Sequence, residues 1–248
     1  MAALYDRIGT TYAQHRRPDA RIDAAINNAL GPLTTICSIG SGTGSYEPRD
    51  RAVVAIEPSQ TMISQRPAES HPVVQGVAEH LPFPDGAFGV ALAVLTVHHW
   101  RDYRHGLAEM IRVARRQVVL TWDPAVFSKF WLVSEYVPEL ATSDVGLAEV
   151  SAICTELDVN EVRTVPVPWD CTDGFAGAYW RRPALYLDPA VRGAISGLAM
   201  CAPDVITRAM ADLQRDLDDG TWQRRYGDLA ALNEIDIGYR LVIAGEVA

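Results

Sequence analysis

Three groups of residues in this chain have types and spacings that can do chemistry. The first is Gly40-Ser41-Gly42-Thr43-Gly44, directly after the apolar run 36–39, with Glu57 ending the next apolar run, 53–56. A glycine turn after a first strand lets a ligand approach the backbone closely, and a carboxylate ending the second strand can accept from ribose hydroxyls. The third glycine comes one residue earlier than in Gly-x-Gly-x-x-Gly, whose spacing admits a helix beside a pyrophosphate, so the turn leans toward a ligand without phosphates. The second group is His98-His99, after the apolar run 90–95. A neutral histidine at a strand end can take a proton or orient a substrate; His99 is the first candidate and His98 the second, against the common alternative of a ring bonded to a loop carbonyl. The third is Trp122-Asp123 at the end of run 118–122, where Asp123 can accept a proton and Trp122 can face a cation or an aromatic ligand, or be core.

These groups need strands to hold them. Residues 19–30 read as a helix capped by Asp19, with Ile22, Ile26, Ala29 and Leu30 on one face and Gly31-Pro32 as the stop. Strands follow at 36–39, 53–56, 73–77, 90–95 and 118–122, with a helix between the glycine turn and the second strand, and another capped by Asp102 whose Tyr103, Leu107, Met110, Ile111 and Ala114 share a face. A helix from Asp144 carrying Leu147, Val150, Cys154 and Leu157, a sixth strand at 162–167, a helical block at 171–230 and a last strand at 239–244 complete the pattern. Strands alternating with helices predict an α/β fold, doubly wound, with a mostly parallel seven-stranded sheet. The helical block reads as a cap inserted between strands six and seven. Phe130, Trp131, Tyr179 and Trp180 are expected there as the lining of an apolar pocket.

With 22 Lys and Arg against 31 Asp and Glu, the chain has a formal charge of −9. Its basic residues occur as scattered doublets, which disfavours a nucleic-acid partner. Cys37, Cys154, Cys171 and Cys201 form no Cys-x-x-Cys pair, so reduced thiols in a cytoplasmic protein are expected. No membrane span or export signal is legible. No metal site is expected, because adjacent histidines on an extended chain point to opposite sides.

The segments Ile-Cys-Ser-Ile-Gly-Ser-Gly-Thr-Gly at 36–44, Ile-Glu-Pro-Ser-Gln-Thr-Met-Ile at 56–63 and Ala-Glu-His-Leu-Pro-Phe-Pro-Asp-Gly-Ala-Phe at 78–88 resemble successive motifs of class I S-adenosylmethionine (SAM)-dependent methyltransferases. The likeness is to the small-molecule branch related to ubiquinone and menaquinone biosynthesis, and it covers about residues 1–122. It implies a Rossmann-like core at 31–170 that binds SAM, N-terminal lid helices at 1–30, a helical cap at 171–230 and the last core strand at 231–248. It also implies that Gly40, Gly42 and Gly44 meet the amino-acid part of SAM, that Glu57 holds the ribose, and that Met62, Ala78 and Glu79 surround the adenine. Tyr12 and Arg16, four apart in the lid, would cover the cofactor and pair with its carboxylate. Gly89 departs from the branch, which usually has aspartate there, and a looser start to strand four is expected. The function implied is methyl transfer to O, N or C of a small, hydrophobic or aromatic metabolite. The competing readings are a SAM-binding enzyme of another reaction type, or a SAM-binding regulator without turnover.

Overall fold

The computed structural model describes residues 16–142 and 149–246. Its first helix, α1 (Ala20–Leu30), begins where the Asp19 carboxylate accepts from the Arg21 N–H at 3.0 Å. After it come β1 (Thr35–Ile39), β2 (Ala52–Glu57), a short α2 (Gln60–Ser64), β3 (Val73–Gln75), β4 (Phe88–Val94), α3 (Tyr103–Val113) and β5 (Ala114–Trp122). The helices α4 (Pro124–Phe127), α5 (Glu139–Thr142) and α6 (Val150–Leu157) lead to β6 (Val159–Thr164) and β7 (Val167–Pro168). Then α7 (Pro189–Gly193), α8 (Ser196–Met200), α9 (Pro203–Asp218) and α10 (Thr221–Tyr226) precede β8 (Glu234–Ile235) and β9 (Tyr239–Gly245).

The main sheet has seven strands in the order β3-β2-β1-β4-β5-β9-β6. Neighbours from β3 to β5 pair in parallel, and β9 runs antiparallel to both β5 and β6. Alternation along the central strands serves two cores. Ile36, Val90, Leu92, Val118 and Leu120 pack toward α1 and the aromatic residues beyond β5, whereas Cys37, Ile39, Ala91, Ala93 and Val119 pack toward α3 and α6. Burial on both faces explains why these strands read as continuous apolar runs.

Several expected elements differ. Residues 40–51 form turns rather than a helix, because the segment linking β1 to β2 is short, carries three glycines and Pro48, and is held by Ser41 N–H donating to Ile56 O at 3.1 Å. The helix α3 passes straight into β5 at Ala114, so Ile111 is exposed, and Arg116 is a buried strand residue whose Nε donates to Ala29 O at 2.8 Å. Gly89, expected to loosen β4, is tightly packed: its N–H donates to Thr35 Oγ1 at 2.8 Å, and a Cβ would stand 3.0 Å from Leu33 Cβ. Strand β6 starts earlier than expected, after Asp158 turns the chain at φ +49°, while Val167 belongs to a separate two-stranded ribbon of β7 and β8. The helix α1, expected in the lid, lies on the sheet against β5 and β9. Residues 1–15, with Tyr12, and the Asp144–Leu147 start of an expected helix lie outside the described residues.

The cap is more than the segment between β6 and β9. Trp131 packs against Tyr186 and Trp222 at ring-centroid distances of 5.6 and 5.5 Å, joining residues 124–142 to the insertion, and its Nε1 donates to Trp180 O at 2.8 Å. Phe130, Trp131, Tyr179 and Trp180 are all buried in this cluster. No described helix is long and apolar enough to cross a membrane.

A charged seam ties the chain before α1 to the start of the insertion. Asp19 accepts from Thr172 N–H at 3.2 Å as well as from Arg21, and Arg21 reaches Asp170 at 2.7 Å. Burial pushes the Asp19 carboxyl up, but the bonds from Arg21 and Thr172 outweigh it and hold the group at about 2. A carboxyl whose folded pKa is depressed stabilises the fold above its unfolded pKa and loses that contribution as pH falls toward the folded value. Asp19→Ala should therefore cost about 2 kcal/mol at neutral pH in urea unfolding, and its difference from the parent should shrink between about pH 4 and pH 2.

Candidate active site

Between β1 and β4 the strand order reverses, and the carboxyl ends of the strands there open a cavity of about 550 Å³. The glycine turn forms one wall. Gly40 has φ +63°, and a Cβ on it would stand 2.0 Å from Thr96 Oγ1, so only glycine lets β1 leave the sheet this close to the end of β4. Gly42 N–H donates to Glu57 Oε2 at 2.8 Å, and Ser59 N–H donates to Oε1 at 2.8 Å. The Glu57 carboxylate, 4% exposed, thus ties the turn to the end of β2. Behind the turn, Arg66 pairs with Glu47 at 2.6 Å and donates to Ser41 Oγ at 3.2 Å.

Buried Met62 and Ala78 form an apolar stretch of the wall, next to Glu79, whose Oε1 accepts from Asp102 N–H at 3.0 Å. At the end of β4, Leu95 adopts φ +50°, a rare conformation for a branched side chain, and Val97–His99 form a tight 3₁₀ turn. This turn corrects the expectation that the two histidines diverge: their ring centroids are 3.8 Å apart. His99 lines the large cavity, whereas His98 lines a second pocket of about 90 Å³ with Trp122, Phe127, Phe175, Ile195, Met200 and Tyr239. Arg16 and Leu95 border both spaces.

Burial holds both imidazoles in the neutral form. His99 is lowered to about 4 by burial and by Arg16; His98 is lowered well below its ordinary value by burial, then by His99 and Arg16. His98 Nδ1 is enclosed and has no hydrogen-bond partner among the described residues. Arg16 Nε donates to Asp173 Oδ1, and Tyr46 OH donates to Asp173 Oδ2 at 2.9 Å. Asp173 belongs to the insertion and is 1% exposed, so Arg16 joins the cavity mouth to the cap.

Residues 37–121 match the methyltransferase domain family. A solved protein of Anabaena variabilis ATCC 29413, described as a methyltransferase from an antibiotic biosynthesis pathway, is 33% identical; the match covers 94% of this chain and 100% of that one, with a TM-score of 0.86. The chain belongs to the class I SAM-dependent methyltransferases. An uncharacterized methyltransferase of Bacillus subtilis (strain 168), YcgJ, is 26% identical over 115 residues, and the match spans 42% of each protein's length. The fold is shared more widely: the [4+2]-cyclase SpnF is 15% identical with a TM-score of 0.57 over 98% of this chain and 93% of its own.

For a methyltransferase of this class, the cavity gathers most of the residues expected around the cofactor: Arg16, Gly40, Gly42, Glu57, Met62, Ala78 and Glu79 line it. Gly44 takes φ +84° beside the Arg66 guanidinium and shapes the turn from behind. Tyr12 lies outside the described residues. Asp123 does not join the site: its carboxylate accepts from Ala125 N–H at 2.9 Å as the N-cap of α4, and the residue lines neither cavity. Phe130, Trp131, Tyr179 and Trp180 also line neither; they are core of the cap. The second pocket is walled instead by Phe127, Phe175, Ile195, Met200 and Tyr239, from four separate stretches of chain, which no local spacing signals. The strained Leu95 had no signal either, since glycine or asparagine is the usual mark of positive φ.

Gly40→Ala should cost about 2–4 kcal/mol, because it combines a positive φ with a clash against Thr96. Thermal melting alongside Ser41→Ala, which removes only a hydroxyl, checks this; equal stability of the two variants would contradict it.

Proposed function

We propose that this methyltransferase moves the methyl group of SAM to an oxygen, nitrogen or carbon of a small apolar or aromatic metabolite. The observation that carries the reading is the convergence of three separated segments, the turn 40–44, Glu57 with Met62, and Ala78-Glu79, on one cavity at the strand ends. Its chemistry fits an adenosyl ligand. Glu57 presents a carboxylate at the end of β2 for the ribose hydroxyls, the positive-φ glycines bare their backbone to the amino-acid part, and Met62 with Ala78 offers apolar surface to a flat base. Arg16 at the mouth suits the ligand's carboxylate. When bound, SAM supplies an electrophilic methyl on a sulfonium.

The chain's own contribution is then to orient an acceptor, exclude water and receive a proton where the acceptor must lose one. His98 and His99, neutral at the junction of the two spaces, suit the last task. A small-molecule acceptor accords with the net charge of −9, which disfavours a nucleic acid, and free thiols at all four cysteines accord with a cytoplasmic protein.

Calorimetric titration with S-adenosylhomocysteine tests the reading. Binding in the micromolar range is expected, weakened about 10- to 100-fold in Glu57→Ala through loss of charge-assisted hydrogen bonds. Preference for NAD, or unchanged affinity in the variant, would overturn it.

A further inference from the structure

The second pocket is not needed to hold an adenosyl ligand, and its composition defines what it can take. Its walls are mostly apolar, with His98, Arg16, Ser196 and Tyr239 as the polar side chains among them. That imidazole is half-buried, its Nδ1 has no partner among the described residues, and it packs against Trp122 at 4.3 Å and against His99 at 3.8 Å, which lines the larger cavity. A neutral imidazole bordering a mostly apolar pocket offers an acceptor to a ligand hydroxyl. His98 lines this pocket while His99 lines the other.

We infer that this pocket binds the methyl acceptor, and that the acceptor is an uncharged, hydroxyl-bearing molecule whose O–H donates to the His98 imidazole while its apolar part packs among Phe127, Phe175, Ile195 and Tyr239. The inference rests on the methyltransferase reading above. The volume, about 90 Å³, is below the roughly 150 Å³ of a cavity that admits benzene, so the pocket encloses less than one ring and the rest of the acceptor extends past the shared Leu95 and Arg16 border into the larger cavity. An anion is disfavoured because the mostly apolar walls would strip it of water. A cation is disfavoured by the same burial that keeps His98 neutral.

Transfer to a hydroxyl balances without an external co-reactant. The hydroxyl oxygen bonds to the methyl carbon, the carbon–sulfur bond breaks with its electron pair going to sulfur, and the hydroxyl proton passes to the imidazole. The positive charge lost from sulfur reappears on His98, so the net charge of the enclosed site is unchanged. This relieves part of the cost of charging a buried ring.

Ligand-observed NMR titration of the full chain tests the inference with three probes: 4-methylphenol, 4-fluorotoluene, which has similar bulk and no donor, and 4-methylbenzoate, which is an anion. Each is titrated with and without S-adenosylhomocysteine. The phenol should bind about tenfold tighter than the fluorotoluene, the benzoate should bind more weakly than the phenol, and His98→Phe should erase the phenol's advantage. A parent protein with no preference for the phenol, or a variant that keeps the preference, overturns the inference. The comparison among probes on the parent protein stands even if the variant fails to fold. Loss of S-adenosylhomocysteine binding would strike the methyltransferase reading, whereas its retention without phenol preference would strike only the acceptor assignment.

Discussion

The contact between Gly40 and Thr96 is the constraint on which the site depends. Where β1 and β4 leave the sheet side by side, their following segments must diverge, and the space between them becomes the cavity. That divergence begins with backbone and side chain packed so closely that no β-carbon fits. On one side the glycine turn is drawn to Glu57 by the Gly42 N–H; on the other the chain rises through Leu95 and coils into the histidine turn. The glycine-turn wall and the histidine turn are thus placed by the same pair of neighbouring strands.

A second dependence runs through Asp173. Its buried carboxylate receives Arg16 from the N-terminal side and Tyr46 from the loop after the glycine turn, while Asp19 and Arg21 secure the neighbouring residues 170–172. Such a network is a weak source of net stability, since burying charges offsets much of what their pairing contributes, but it fixes geometry. Here it ties the insertion to Arg16 and Tyr46, which line the large cavity, while other insertion residues wall the smaller pocket. The cap is held at its far end differently, by aromatic packing around Trp131.

Local patterns explain what was legible in the sequence. The strands β1, β2, β4 and β9 are buried stretches whose residue types and turn signals mark them directly, and Asp19 and Asp102 cap helices where their spacing indicates. The cofactor wall was legible because its residues follow strand ends at short range. The acceptor side was not. Asp123 sits at a strand end like a functional carboxylate, yet the start of α4 takes it as a cap, and the aromatics expected to line a pocket are consumed by the cap's own core. The pocket walls come from residues as distant as Phe127 and Tyr239, and the positive φ just before the histidine turn occurs at a leucine. Long-range packing decides those positions, and a single chain's local spacing carries no record of it.

The most direct measurement is a crystal structure of the protein with S-adenosylhomocysteine. The account predicts the ribose on Glu57, the adenine against Met62 and Ala78, and the sulfur turned toward the border at Leu95 and Arg16, facing the His98 pocket. A ligand seated with its sulfur directed away from that border, or bound outside the Gly40–Glu57 cavity, would contradict it.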